Sequence, residues 1–449
     1  MRVTGRISNG ITEGVIWKQL LAFFFPVLLG TLFQQLYNTV DAVIVGRFVG
    51  KEALAAVGGS SAHILSLIIG FFTGLASGSS VVISQYYGAG DHEDVSRSVH
   101  TALILSAVGG AAVTAFGLLT ASLLLEAMNT PAETMADSLV YLRVIYLGMV
   151  PSMIFNMGSA ILRAVGDSRR PLYFLVVCCL LNIVLDILFV LRFQMGVLGV
   201  AVATVIAQTI SAALVCMSLL RSRDSFRLEL SRLRPDMRIL RRTIHIGLPA
   251  GLQSIMYGLS NMIITAAVNS FGTDTVAAWV AVGKIDTLNW MTLNALGISL
   301  MTFAGQNYGA QKLERVRGSL KTALLMGFAM AVGVGLLLVG AGRYMLALFT
   351  DDALVLDIAV IIILYIAPWY WTYMPIEVFS GCFRGLGDTL LPTVITAAGV
   401  CLLRVLWVFT VVSAWQSIGA VCVSYPVSWV VTGLAFVLYY FCRWHRRLN

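Results

Sequence analysis

Runs of about 20 apolar residues, the length that crosses a bilayer, recur from one end of this chain to the other. In hydrocarbon every backbone N–H and C=O must find its partner inside the protein, so such runs fold as helices. Only 12% of the residues are charged and 58% are hydrophobic, against about 25% charged in soluble domains. The chain reads as an all-α polytopic membrane protein. Spans are expected at about 17–46, 54–86, 98–126, 138–163, 171–192 and 197–220, then at about 243–271, 276–306, 319–349, 357–384, 392–414 and 418–442. The start lacks the cleavage pattern of a signal peptide, so the amino terminus is expected to be retained.

The net charge of +8 is not spread evenly. Basic residues crowd alternate loops: Arg163, Arg169 and Arg170; the eight arginines between Arg221 and Arg242; Lys312, Arg315, Arg317 and Lys321; Arg443, Arg446 and Arg447. The loops between them carry acids such as Glu126, Glu133 and Asp137, or Asp351, Asp352 and Asp357. That alternation places both termini in the cytoplasm, in the plasma (inner) membrane, with lipid rather than nucleic acid as the partner. The seven cysteines are odd in number, form no Cys-x-x-Cys pair and lie in or beside apolar runs. They read as small core residues rather than metal ligands or a disulfide framework.

The chain is also written twice. Gln85-Tyr86-Tyr87-Gly88-Ala89 recurs 221 positions later as Gln306-Asn307-Tyr308-Gly309-Ala310, and Arg163-Ala164-Val165-Gly166-Asp167 recurs at the same offset as Arg384-Gly385-Leu386-Gly387-Asp388. Pro26 and Asn38 match Pro249 and Asn261. Six spans per copy is even, so both copies enter the membrane in the same direction, a parallel repeat around a central cleft. The expected domains are an amino-terminal bundle over 1–220, a polar cytoplasmic linker over 221–242 and a carboxy-terminal bundle over 243–449.

Within this apolar setting two acids stand out. Asp41 and Asp186 each precede an arginine, Arg47 or Arg192, by six residues, which sets both roughly 9 Å inside the external end of their helices. Intramembrane acids are costly and mark ion or substrate pathways. Asn182 lies four positions before Asp186 and Asn38 three before Asp41, so each amide shares a helix face with its acid. Tyr141 and Thr204 fall at similar depths. An oxygen-rich set of this kind suits a shared proton or a hard cation such as Na⁺ at Asp41, Asp186 and Asn182. The alternative is a hydrogen-bonded polar cluster that only tightens the bundle.

The stretch Pro26…Gln34-Gln35-Leu36-Tyr37-Asn38-Thr39-Val40-Asp41-Ala42-Val43-Ile44-Val45-Gly46, followed by Ala53-Leu54-Ala55-Ala56-Val57, resembles the first hairpin of the multidrug and toxic compound extrusion (MATE) family. The duplicated Gln-x-Tyr-Gly-Ala and Arg-x-x-Gly-Asp loops agree with it, over about residues 14–443. The resemblance implies a monomeric, secondary active exporter of drugs and other organic, often cationic, molecules in exchange for protons or sodium. It assigns ion coupling to Asp41, Asp186 and Asn182, with Tyr141 and Thr204 in support. No cofactor is implied.

The second half departs from the pattern. Tyr257 stands where one branch of the family carries an acid, and Ile264, Leu403 and Trp407 stand where Asp41, Asn182 and Asp186 would recur. Ion handling is therefore expected in the first half alone. Lys284, Asp286, Glu377 and Arg404 also lie in spans; opposite charges there usually pair, and Glu377 or Asp286 is otherwise a lure for a cationic substrate. Tyr257 and Gln34 complete the candidate substrate contacts. Trp290, Met291 and Tyr373 suit a drug cavity, whereas Trp369 and Trp371 suit the interfacial belt. His63 reads as a hydrogen-bonded core histidine. The Gly-Asp turns, each followed by Pro171 or Pro392, read as hinges or latches. Pro26 and Pro249 should each break one helical hydrogen bond.

No phosphate loop, zinc triad or nucleophile elbow occurs in a suitable context, so no enzyme is expected. A flippase for lipid-linked precursors, which would want a strongly cationic cavity, is the competing transport reading.

Overall fold

The computed structural model describes residues 10–447. Twelve helical rods follow one another with no strand among the described residues. The first six are α1 (Ile16–Val49), α2 (Lys51–Ala89), α3 (His92–Ala127), α4 (Ala132–Leu147 and Met149–Ala164), α5 (Arg169–Arg192) and α6 (Gly196–Leu220). After them come α7 (Met237–Asn269) and α8 (Thr273–Gly309), then α9 (Leu313–Leu346), α10 (Ala353–Gly385), α11 (Leu390–Val412) and α12 (Ile418–Trp444). Nine are long and apolar enough to cross a membrane, and ten if the pair in α4, bent by 51° at Gly148, is one span. The remaining two carry the charges that lower their apolarity: Arg238, Arg241 and Arg242 in α7, Lys284 and Asp286 in α8.

Short connections are set by local chemistry. Gly90 closes α2 in the left-handed region (φ 73°), which a glycine enters without steric cost. Asp91 then caps α3 by accepting from the Asp94 amide at 3.0 Å. The twin Gly-Asp turns share backbone geometry, with Gly166 at φ 97° and Gly387 at φ 84°, but use their acids differently. Asp167 accepts from the Arg169 and Arg170 amides, both at 3.0 Å, and caps α5. Asp388 instead accepts from Trp444 Nε1 at 3.0 Å and from the Tyr439 hydroxyl, tying down the end of α12.

The compact units do not follow the duplicated halves to the residue. One unit is Phe25–Gly251; the other joins Leu252–Asn449 to the chain up to Phe24. Each first helix thus changes unit part-way, beside Pro26 in α1 and Pro249 in α7. The reason lies in the repeated Gln-x-Tyr-Gly-Ala loops. In the second unit Asn307 donates to the Ile11 carbonyl at 3.4 Å, Lys312 to Thr12 at 2.9 Å, and Arg315 to Gly14, Ile11 and Glu13 at 2.8, 3.0 and 3.2 Å. In the first unit Gln85 accepts from Arg242, and Asp94 pairs with Arg238 at 2.7 Å.

The connection read as a linker is a fixed strap. Phe226 and Leu228 are buried among Ile161, Val215 and Leu219. The Glu229 amide lies 3.0 Å from His100 Nε2, and the Asp236 amide donates to Thr101 at 3.0 Å.

Within the first unit α2 and α7 cross at backbone contact. Gly74 and Gly78 on α2 face Gly251 and Gly247 on α7, and a Cβ at Gly78 would lie 2.7 Å from the Gly247 nitrogen. Both pairs are four residues apart, the small-xxx-small spacing that brings helices together in lipid. Replacing Gly78 by valine is expected to cost about 1–3 kcal/mol through overpacking against backbone that cannot yield. Thermal unfolding of the detergent-purified protein should show a lowered midpoint for Gly78→Val. Gly333→Val, whose Cβ meets nothing within 4 Å, should leave it unchanged.

Candidate functional site

The first unit brings Asp41 and Asp186 together near the carboxy-terminal ends of α1 and α5. Asp186 and Asn182 are fully buried, with Asp41 and Thr204 exposed by only 7% and 5%. The Asp41 and Asp186 carboxyls are within hydrogen-bond reach of one another. Asn182 donates through Nδ2 to Thr204 Oγ1 at 3.4 Å, which turns its carbonyl oxygen away from that hydroxyl. Tyr141 lies near enough to both acids to interact with them electrostatically.

Beyond each acid the helix widens into a π-turn, Val45–Val49 one turn after Asp41 in α1 and Ile187–Arg192 directly after Asp186 in α5. π-Turns of this kind recur at functional sites. Ile44, Val45, Val190, Val197 and Val200 pack there into an apolar plug with Tyr141 against its edge.

The decisive feature is an imbalance of donors and acceptors. Asp41 Oδ1, both Asp186 carboxylate oxygens and Asn182 Oδ1 are buried with no protein donor. Two carboxylates about 4 Å apart at an effective dielectric near 20 repel by about 4 kcal/mol, and a buried acceptor left unpaired costs a further 1–3 kcal/mol or so. A proton shared between the carboxyls answers both costs. A sodium ion does so equally, since carboxylate, amide and hydroxyl oxygens are its preferred donors.

Asn38, expected from its spacing to share a helix face with Asp41, is exposed, as is Gln34. Tyr37, at the i, i+4 spacing, is close enough to Asp41 to interact with it and lies beside Gln208 of α6. That spacing was available in the sequence; Gln208 was not, because the order of helices around a bundle is not encoded in depth.

In the second unit the positions equivalent to Asp41 and Asp186 are filled by contact instead of charge. Ile264 packs with Val268, Val412 and Val421, and Trp407 closes the same cluster while donating to the Ala420 carbonyl at 2.9 Å. This unit holds a cavity of about 420 Å³ lined by Tyr257, Asp286, Trp290, Tyr373, Arg404 and Tyr425 among others.

The expected ion pairs are absent: among the described residues Lys284, Asp286, Glu377 and Arg404 form no salt bridge within 4.0 Å, and Lys284 is exposed. Aromatic groups take the counter-ions' place. Asp286 accepts from Tyr370 at 2.6 Å and from Trp290 Nε1 at 2.7 Å. Arg404 lies 4.1 Å from the Tyr425 ring centre and donates to Ser428 at 2.8 Å. Glu377 accepts from Tyr373 at 3.4 Å behind the cavity wall, and Tyr373 lies beside Tyr257. Gly297 makes room for Glu377, because a Cβ there would strike Oε1. Trp369 and Trp371 are each 44% exposed, as belt residues are. His63 is exposed as well, bonded only to the Gly59 carbonyl at the kink in α2.

The MatE family profile matches residues 26–188 and 249–410, once per repeat. The chain belongs to the MatE family. It is 29% identical to a probable multidrug resistance protein, YoeA, of Bacillus subtilis over 96% of this chain and 95% of that protein. A second probable multidrug resistance protein of that organism, YpnP, is 27% identical over 96% and 97%. A solved MOP superfamily transporter from Pyrococcus furiosus has the same fold, with a TM-score of 0.90 at 23% identity over 97% of this chain and 98% of that one. Both MatE matches include the proline early in the first helix of the repeat, and only the first includes the acid pair.

If the MatE acid pair takes up an ion, the folded protein should gain stability from that ion. Ligand at about 100 times its dissociation constant adds about 2.7 kcal/mol. The unfolding midpoint of purified protein should rise when sodium replaces choline at constant ionic strength, or when pH is lowered if the ion is a proton. Asp186→Asn should lose that response; an undiminished response would place the ion elsewhere.

Proposed function

We propose that this protein is a secondary active exporter that moves drug-like organic compounds out of the cell in exchange for protons or sodium, working by alternating access with both termini in the cytoplasm. The observation that carries this reading is the buried Asp41–Asp186 pair, three of whose carboxylate oxygens, with Asn182 Oδ1 beside them, have no protein donor. A buried structural cluster would be expected to satisfy those oxygens, because leaving them unpaired costs stability. A site that loads and unloads an ion has to leave them available. The names of the curated relatives support export of drugs as the task.

In this reading the ion and the substrate compete for states rather than for atoms. Loading the acid pair removes one buried repulsion and so favours the arrangement in which α1 and α5 close around it; unloading favours the other. A ligand shifts such an equilibrium only by its differential affinity for the two states. Asp41 belongs to α1, which also carries Pro26 and changes unit beside it, so the helix that senses the ion is one that both units share. A lipid-precursor flippase remains the competing reading, motivated by the buried Arg404.

Efflux of a fluorescent dye from vesicles under an imposed proton or sodium gradient tests the proposal. Wild type should export against the dye gradient and Asp41→Asn should not, while inserting and folding normally. The amide keeps the size of the acid but neither cycles a proton nor carries charge to a cation. Undiminished efflux by a well-expressed Asp41→Asn variant would overturn the assignment.

The second unit offers a matching control. Its equivalents of the acids are Ile264 and Trp407 in an apolar cluster, so Glu377→Gln should alter which compounds are exported, or lower stability, with the number of ions moved per substrate unchanged. By linkage a residue that does not bind the ion can alter substrate affinity without altering that ratio. Ion and substrate flux measured together in reconstituted vesicles decides it, and a fall in the ratio would reveal a second ion site.

A further inference from the structure

The second-unit cavity contains one acid and one base, and their situations are opposite. Each carboxylate oxygen of Asp286 already accepts a hydrogen bond, from Tyr370 and from Trp290. Arg404 is 4% exposed, has no acidic partner within 4.0 Å, and uses Nε on Ser428. Its Nη2 is buried without any acceptor. The guanidinium is held in place from one side by Tyr425, whose ring centre is 4.1 Å away, and more distantly by Trp429 at 5.7 Å. A buried guanidinium cannot lose its proton to escape the cost of burial. Stacking on aromatic rings offsets part of that cost but supplies no acceptor for the in-plane N–H donors, and Arg404 is part of the cavity wall.

The rest of the wall describes the other end of the occupant. Trp279 and Trp290 supply flat aromatic surface, and Ile264, Ile362 and Val400 supply apolar surface. About 420 Å³ is in the range of sites that enclose drug-sized molecules. An acceptor is wanted at Arg404 and a flat apolar body along the tryptophans.

We propose that this cavity binds an aromatic compound bearing an acid group, a carboxylate or sulfonate, with that group docked on Arg404. The planar guanidinium matches such a group through paired N–H donors, and charge neutralisation favours an anion over an uncharged acceptor. The site lies in the unit that lacks the ion-coupling acids, and the proposal concerns binding alone, so it stands or falls apart from the export reading. It adds organic anions to a family resemblance that implies mainly cations.

The test is calorimetric titration of the full-length protein in lipid nanodiscs, corrected against empty discs, with 2-naphthoate, its uncharged amide 2-naphthamide and the cation 2-naphthylmethylammonium. Naphthoate should bind about tenfold or more tightly than the amide, as expected for a hydrogen bond to a charged group, and more tightly than the ammonium. Arg404→Gln should bring acid and amide to equal affinity. Gly283→Trp fills the cavity from a position where a Cβ meets nothing within 4 Å and should weaken all three. Equal binding of acid and amide by the wild type overturns the proposal, as does tighter binding of the ammonium, and neither comparison requires Arg404→Gln to fold. Retention of the acid preference in Gly283→Trp would place the site elsewhere and overturn it as well. Dye efflux driven by an ion gradient, measured separately, reports on export whatever these titrations show.

Discussion

Inside hydrocarbon a polar group has no water to fall back on, and the cost of leaving it unpaired is paid in full. That constraint turns most of this chain into helix and makes each buried charge a problem that needs a local answer. The protein answers it in three ways. Asp286 is surrounded by hydroxyl and indole donors. Arg404 is stacked on aromatic rings. Asp41 and Asp186 are set against each other with oxygens that no protein donor reaches. The first arrangement is closed, the second half-closed and the third open, and chemistry is assigned to them in that order of increasing openness.

Duplication supplied two scaffolds of the same helical order, which have since diverged at the point where charge would meet charge. On α1 and α5 the equivalent positions carry Asp41 and Asp186; on α7 and α11 they carry Ile264 and Trp407 in an apolar cluster. Both versions join the corresponding ends of their helices, one by a pair of buried acids and one by a hydrophobic contact. Under the proposed export reading, that asymmetry would confine the response to the ion to one half.

Much of this was legible from residue order. The helical class, the repeat and the acid pair followed from apolar run length, from motif recurrence and from matched depth. The six-residue spacing to Arg47 and Arg192 was enough to put Asp41 and Asp186 at one level. Lateral arrangement was not readable in the same way. Nothing in the sequence says that Tyr37 rather than Asn38 turns toward Asp41 in the assembled bundle, or that Gln208 of α6 comes alongside. The pairing of Lys284, Asp286, Glu377 and Arg404 was expected from charge alone, and tyrosine, tryptophan and serine do that work instead. The polar stretch from 221 does connect the two halves, and Phe226 and Leu228 anchor it despite its arginines. The four-residue glycine spacing on both α2 and α7 is the sequence signal of their close crossing.

The exchange of helix starts has a consequence for how the molecule is made. Arg315 bonds the Ile11 carbonyl across 304 residues of chain. A ribosome adding about 5–20 residues per second reaches that arginine on the order of 15 to 60 seconds after the isoleucine. Throughout that interval the amino-terminal end of α1 lacks the partners that will hold it. By contrast, Arg238 and Arg242 meet Asp94 and Gln85 as soon as they emerge, since those partners were synthesised long before. The two halves are therefore completed by different routes: one locks as it is extended, and the other waits for the end of its own chain to be secured by a late arrival.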